Sequence, residues 1–95
     1  MTSKQRAYLR GLANTIDAIF QVGKGGISDN LIKQLNDALE ARELIKISVL
    51  ETAPDSAKEL GNEIAEVTNS TLVQVVGNKI TLYRPKKKDS KIVLP

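Results

Sequence analysis

A glycine-rich segment, Gly23–Gly26 (Gly-Lys-Gly-Gly), separates two stretches whose apolar residues follow different periods. Ala18–Val22 before it is a short, mostly apolar run, as in a buried strand, whereas the stretch that starts at Ile27 has the spacing of an amphipathic helix. Glycines let the chain turn tightly and let a ligand approach the backbone, because no Cβ stands in the way. The segment therefore predicts a strand, a glycine loop and a helix in succession.

The predicted loop suits a phosphate group. A helix that starts directly after it points free backbone N–H groups and the positive end of its dipole at the loop, and anions bind at such helix ends. Lys24 adds a full positive charge. A purely structural alternative stays open, in which Gly23 ends a strand while Gly25 and Gly26 only form a tight turn.

The spacing of the loop excludes two common nucleotide-binding motifs. In the Walker loop the lysine follows the second glycine, but here Lys24 precedes Gly25 and Gly26. A dinucleotide-binding fingerprint that starts at Gly23 needs its last glycine where Ser28 stands. A Gly-x-x-Gly loop that holds a nucleic-acid backbone, as in KH modules, has no such conflict. Lys24 is therefore the predicted phosphate contact, and the three glycines shape the clamp.

Hydrophobic periodicity predicts the element order α-β-α-β-α-β-β in one domain. Small polar residues that cap helix starts are Thr2 or Ser3, then Ser28, then Asp55 or Ser56. Four strands are too few for a barrel, so we expect an α/β fold with a four-stranded mixed sheet packed with helices. The predicted bounds are Ser3–Ala13, Ala18–Val22, a helix from Ser28 to Arg42, Glu43–Leu50, a helix that Asn69 closes, Thr71–Val76 and Lys79–Arg84.

The same patterns predict two details of packing. The third helix is expected to bury one stripe of four residues: Ala57, Leu60, Ile64 and Val67. In the final hairpin, Gly77-Asn78 is a two-residue loop of the primed turn type. Pairing outward from this loop sets Val75 opposite Ile80 and Val73 opposite Leu82, so that all four face the core.

Composition removes most catalytic chemistry. The chain has no histidine and no cysteine, and it therefore lacks the commonest general base, the commonest zinc ligand and any disulfide. No pair of acidic residues converges by spacing on the glycine loop, so we expect no enzyme, no metal, no cofactor and no small-molecule substrate. No apolar run approaches the ~18 residues of a membrane span, and residues 1–6 do not begin a secretory signal. We expect a cytoplasmic protein, and nothing demands an oligomer.

Charge is divided along the chain, which carries a net charge of +3. Residues 1–26 hold four basic side chains and one acidic, residues 27–78 hold four basic and nine acidic, and residues 79–95 hold six basic and one acidic. If folding brings both basic ends beside the loop, one face attracts polyanions. The alternative is that the ends, and the Lys86–Lys88 run above all, are charged only for solubility.

Five further basic residues are candidates for nucleic-acid contacts: Lys4, Arg6, Arg10, Lys46 and Arg84. The first three lie on the polar side of the first predicted helix, where the alternative is a solvated face. Lys46 points away from the core side of its strand, and the alternative is a simple edge-strand lysine. For Arg84 the alternative is an ion pair with an acidic helix residue such as Glu43.

Five blocks of sequence stand in the order of a known family. They are Tyr8–Ala13, Val22–Ile27, Ala38–Ile47, Val73–Gly77 and Leu82–Pro85. Together they resemble the CRM domain, named for chloroplast RNA splicing and ribosome maturation, and a chain of this length resembles its bacterial stand-alone members, the YhbY type. Two features depart from the family pattern: Gly25 stands where Asn is usual, and a Pro often found before the first strand is missing.

The resemblance implies RNA binding, association with ribosomal RNA in precursors of the large ribosomal subunit, and a fold similar to the C-terminal domain of translation initiation factor three. We expect a CRM-type domain over residues 1–86 and a loose basic tail over residues 87–95. With Tyr8, Phe20 and Tyr83 as the only aromatic residues, recognition of RNA backbone and shape is expected rather than broad base stacking. The alternative function is a protein-binding adaptor that docks on a ribosomal protein or an assembly factor.

Overall fold

Three helices and four strands follow one another in the predicted order. The computed structural model describes residues 1–87 and 90–95; Lys88 and Asp89, which belong to the predicted tail, lie outside the described residues. The elements are α1 (Ser3–Ala13), β1 (Phe20–Val22), α2 (Asp29–Arg42), β2 (Leu44–Val49), α3 (Ala57–Val67), β3 (Thr71–Val76) and β4 (Lys79–Tyr83).

A side-chain cap sets the start of each helix. The hydroxyls of Thr2, Ser28 and Ser56 each accept a hydrogen bond from the backbone N–H three residues further on, at 3.1, 3.1 and 3.2 Å. Each bond satisfies one of the N–H groups that the first turn of a helix leaves without a partner. The predicted caps are therefore confirmed, and Ser28 fixes where α2 begins after the glycine loop.

The four strands form one mixed sheet in the order β1-β2-β4-β3. β1 runs parallel to β2, with Val22 beside Val49, and β4 is antiparallel to both β2 and β3. β1 is shorter than the predicted Ala18–Val22, although Ile19 ahead of it donates its N–H to the Lys46 carbonyl at 2.9 Å. This register places the end of β1, and with it the glycine loop, at the carboxyl end of β2.

Helices cover the two faces of the sheet unequally. α2 and α3 pack on one face, where Leu35, Leu39, Leu60 and Ile64 meet the inward side chains of the strands. α1 packs on the other face, where its buried residues lie over Leu44, Val73 and Tyr83 near one end of the sheet. Alternation along β2 explains the division, because Ile45, Ile47 and Val49 point to α2 and α3 while Leu44 points to α1.

A β-bulge changes the predicted pairing of the hairpin. The pair Val75–Ile80 is as predicted, but Leu82 lies opposite Leu72 rather than Val73, because the register shifts between Leu72 and Gln74. Val73 is the extra residue, and it packs in the α1 cluster instead of the α2/α3 core. The turn itself is confirmed: Gly77 has φ +58°, as a primed turn with glycine at its first central position requires.

At the end of α3, the predicted burial of Val67 is wrong and the predicted closing residue Asn69 is correct. Leu60 and Ile64 are buried, but Val67 is 52% exposed, so the buried stripe ends one turn earlier than expected. Asn69 adopts the left-handed conformation with φ +52°, as predicted for the residue that closes this helix. The helix thus stops where the chain must turn back into β3.

Candidate nucleic-acid interface

The glycine loop is a tight turn at the carboxyl end of β1. The Gly26 N–H donates to the Gly23 carbonyl at 2.9 Å, which leaves Lys24 and Gly25 at the tip, both exposed. α2 begins shortly afterwards, with Asp29 in its first turn. Because a carboxylate there offsets the positive end of the helix dipole, attraction for an anion rests mainly on the Lys24 ammonium and the N–H groups of the turn.

The glycines of this turn are not equivalent. Gly26 has φ +62°, and a Cβ on it would lie 3.0 Å from Pro54 Cγ, so both the backbone and the neighbouring loop require glycine. At Gly25 a Cβ would meet nothing within 4 Å, and its φ is not in the left-handed region. Position 25 therefore has room for a side chain, which fits the Asn that the family resemblance places there.

A polar strip, formed by Gln21, Lys46, Ser48, Lys79 and Thr81, lies on the α1 side of the sheet, toward the loop end. Strand pairing sets Gln21 beside Ser48, Ser48 beside Lys79 and Lys46 beside Thr81. Lys79 Nζ donates to Ser48 Oγ at 2.6 Å, and the Lys46 side chain is half-buried. Two lysines thus lie on adjacent central strands, on the α1 side of the sheet.

Lys79 is a candidate that sequence reasoning missed. Hairpin pairing already put Lys79 on the face away from the core. What the pattern did not give was the pairing of β4 with β2, which brings Lys79 beside Ser48 and diagonally across from Lys46. The signal for this contact is non-local, since these residues are more than 30 positions apart in the chain.

The basic residues of α1 divide into two kinds. Lys4 and Arg10 are exposed on the outer side of the helix. Arg6 is half-buried, and its Nη1 donates to the Leu72 and Val73 carbonyls at 2.8 and 2.7 Å. Arg6 therefore fastens α1 to the bulge in β3, and of the three predicted contacts on this helix only Lys4 and Arg10 have exposed side chains.

Arg84 lies at the other end of the sheet from the glycine loop. Its guanidinium donates to Asn36 Oδ1 at 2.8 Å and to the Thr68 carbonyl at 2.7 Å, and it forms a 3.2 Å salt bridge with Glu40. The structural alternative is thus correct in kind, but the acidic partner is Glu40 and not Glu43. β2 rises about 3.3 Å per residue over Leu44–Val49, so about 17 Å separates the end of β2 near Arg84 from its end near the glycine loop.

The basic ends of the chain do not both meet at the loop. Arg84 lies at the far end of the sheet, and α1 packs near that same end over Leu44 and Tyr83, where Ile92 and Leu94 join its cluster. Six of the nine acidic side chains of the middle segment are exposed on α2 and α3: Asp29, Asp37, Glu40, Glu59, Glu63 and Glu66. On these two helices the exposed acidic side chains thus outnumber the exposed basic ones, which are Lys33, Arg42 and Lys58.

A family model of the CRS1/YhbY (CRM) domain matches residues 1–84, which include the glycine loop, the polar strip and Arg84. The chain belongs to the CRS1/YhbY (CRM) family. Within the described residues, this CRM domain has no cluster of three or more side chains able to hold a metal ion. Across the same ranges, none of its helices combines the length and the apolar character needed to cross a bilayer.

Relatives of this CRM domain extend over its whole length. The protein named probable RNA-binding protein YqeI, from Bacillus subtilis (strain 168), is 46% identical over 100% of this chain and 99% of its own. An RNA-binding protein of Haemophilus influenzae is 30% identical over 100% of this chain and 95% of its own. The solution structure of SAV1595 from Staphylococcus aureus, a hypothetical protein for which RNA binding is proposed, is 54% identical with TM-score 0.83, covering 100% of this chain and 99% of that one.

Proposed function

We propose that this CRM domain is a non-enzymatic RNA-binding protein that holds the RNA backbone through the Gly23–Gly26 turn and the polar strip. The observation that carries the proposal is the exposed Lys24 at the tip of a glycine turn, on the same end of the sheet as Lys46 and Lys79. Its relatives support it, since they are named as RNA-binding proteins and not as enzymes.

The chemistry of the proposed contact is electrostatic. Lys24 Nζ pairs with a phosphate oxygen while backbone N–H groups of the turn donate to the same group. Lys46 and Lys79 hold neighbouring phosphates along the sheet. Tyr83 takes no part, because it is 3% exposed and packs under α1. Without aromatic side chains on the strip, the surface reads backbone and shape more than base identity.

We propose ribosomal RNA in precursors of the large ribosomal subunit as the target, with the protein bound as a monomer. The CRM resemblance supports this target. Cell extracts separated on a density gradient test it: the protein should sediment with large-subunit precursors and leave them after ribonuclease treatment. Free protein at the top of the gradient before treatment would contradict the proposed target.

A protein-binding adaptor is the second candidate function. The exposed acidic groups of α2 and α3, with the 52% exposed Val67 beside them, favour this candidate because they suit a basic protein partner. The same gradients separate the two functions, since an adaptor would stay with the particles after ribonuclease treatment.

The loop contact is tested by Lys24→Glu, with Lys58→Glu on α3 as the matched control. Both exposed lysines undergo the same change of charge, but only Lys24 lies in the proposed interface. We expect Lys24→Glu to weaken binding of ribosomal RNA fragments several-fold and to reduce the salt slope by about 0.7 to 0.9 per lost contact. Circular dichroism checks that both variants fold. Equal affinities in folded Lys24→Glu and Lys58→Glu would contradict the loop contact.

A further inference from the structure

Glu43 is a buried carboxylate that the proposed RNA contacts do not use. It is 0% exposed and directly follows α2 with φ +66°, a conformation that is uncommon for residues other than glycine. Its N–H donates to the Leu39 carbonyl and its carbonyl accepts from the Arg84 N–H, both at 2.9 Å. The backbone of Glu43 is thus fully bonded between α2 and the end of β4.

The side chain of Glu43 binds the segment that follows β4. Oε1 accepts from the Lys86 N–H at 3.1 Å and from the Ser90 hydroxyl, and Oε2 accepts from the N–H groups of Lys91 and Ile92 at 2.7 and 3.2 Å. Burial alone raises the pKa of Glu43, but these hydrogen bonds outweigh burial and hold its pKa below the ordinary value. The buried charge is therefore satisfied entirely by the C-terminal segment.

Two apolar side chains fasten the same segment to the α1 cluster. Ile92 and Leu94 are half-buried and pack against the group that contains Leu9, Leu44 and Tyr83, whereas Val93 between them is 79% exposed. Such alternation is that of an extended chain with one side on a surface. We name this segment the strap; it comprises residues 86–87 and 90–94. The Glu43 carboxylate holds it at one site and the apolar α1 cluster at another.

The lysines of the strap are not engaged by Glu43. Among the residues that the structure describes, the one salt bridge joins Arg84 to Glu40. Glu43 receives backbone N–H groups and a hydroxyl, so the ammonium groups of Lys86, Lys87 and Lys91 are left for other anions, and the last two side chains are exposed. These cations lie at the end of the sheet opposite the glycine loop.

We propose that Glu43 acts as a positioning residue that holds the strap in place, so that Lys86, Lys87 and Lys91 form a second, fixed surface for RNA phosphates. This inference rests on the proposed RNA binding and adds a second contact area to it. A fixed cluster binds more tightly than a free tail. The chain of a fixed cluster already loses its conformational entropy on folding, so RNA binding does not carry that cost.

Amide hydrogen exchange tests the strap without RNA. In Glu43→Gln, the side-chain nitrogen donates hydrogen bonds and no longer accepts them, so at least one N–H group that Glu43 binds loses its acceptor, and the remaining bonds lose the carboxylate charge. We expect at least one of the Lys86, Lys91 and Ile92 amides to exchange about tenfold faster than in the wild type. Glu63→Gln, an equal change of charge on exposed α3, should leave them unchanged. Equal exchange in Glu43→Gln and wild type would overturn the role of Glu43.

RNA affinity then tests the second surface, because the change of charge and the loss of the strap alter the affinity in opposite directions. Both glutamine variants raise the net charge by one, so charge alone predicts slightly tighter binding of a mixed-sequence single-stranded RNA. We expect Glu63→Gln to bind equally well or more tightly and Glu43→Gln to bind two- to fivefold more weakly. Tighter binding by folded Glu43→Gln would overturn the proposal.

A second variant keeps the test valid if Glu43→Gln does not fold. Changing Lys87 and Lys91 to Gln should lower the salt slope by about 1.4, at 0.7 per contact with single-stranded RNA, whereas changing Lys33 and Lys58 to Gln should not. Unchanged binding in the first pair, with Lys24→Glu still impaired, would overturn the second surface alone. If the wild type bound no RNA, the proposed function itself would fail.

Discussion

Two single residues, one in the loop and one that binds the strap, adopt conformations that their neighbours dictate. Gly26 and Glu43 both have positive φ, but for different reasons. The turn and the nearby Pro54 ring require glycine at position 26. Glu43 is not a glycine, and hydrogen bonds at its N–H, its carbonyl and both carboxylate oxygens hold its backbone at positive φ. Strain at Glu43 is thus offset by the contacts that it makes.

We expect Gly25 and Gly26 to respond differently to alanine. Gly26→Ala should lower the free energy of unfolding by about 1–2 kcal/mol, because an L-residue at positive φ is strained and its Cβ would crowd Pro54 Cγ at 3.0 Å. Gly25→Ala should be neutral or slightly stabilising, since the position is open. Urea denaturation measures both. Equal losses would mean that the two positions do not differ as described.

Side-chain hydrogen bonds to nearby positions in the chain can be predicted from the sequence, whereas those to distant positions cannot. The caps at Thr2, Ser28 and Ser56 depend on atoms three residues away, so the sequence displays them. The partners of Arg84 and Glu43 lie 16 to 49 positions away, and side-chain type alone does not select among such partners. The sequence offers Glu43 only as a partner for Arg84 and does not display its hydrogen bonds to Lys86, Ser90, Lys91 and Ile92.

At the scale of elements, hydrophobic period predicted the order and type of all seven helices and strands. The errors lie where tertiary contacts override a simple period. The bulge at Val73 shifts the hairpin register, and the Arg6 guanidinium that bonds the bulge carbonyls comes from the other end of the chain. Likewise, Val67 fits the helical stripe, but α3 extends past the edge of its packing surface at that point.

The strap is an element whose stability should depend on acid. Because the pKa of Glu43 is lowered on folding, its contribution is present above the unfolded pKa of about 4.3 and is lost as the pH falls through the folded value. We expect the difference in free energy of unfolding between wild type and Glu43→Gln to shrink as the pH drops below about 4.3. Chemical denaturation across a pH series measures it; a difference that stays constant over this range would contradict the role of the charge.

At the scale of the whole molecule, charge is divided unevenly between the two faces of the sheet. The polar strip and α1 lie on one face, whereas six exposed acidic residues and three exposed basic ones lie on α2 and α3, which cover the other. Net charge along the chain predicts one basic face only if both basic ends lie beside the loop, and Arg84 at the far end of the sheet does not meet that condition. The C-terminal basic residues reach the far end of the sheet, because β4 runs antiparallel to β2 and ends beside Leu44.

Mapping of amide chemical shifts during titration with ribosomal RNA fragments tests the central proposal most directly, because it reports every side of the sheet at once. We expect the largest changes at Lys24, Gly25 and Gly26, followed by Lys46 and Lys79, with little change along α3. Changes concentrated on α2 and α3, with the glycine turn unaffected, would contradict RNA binding at this loop.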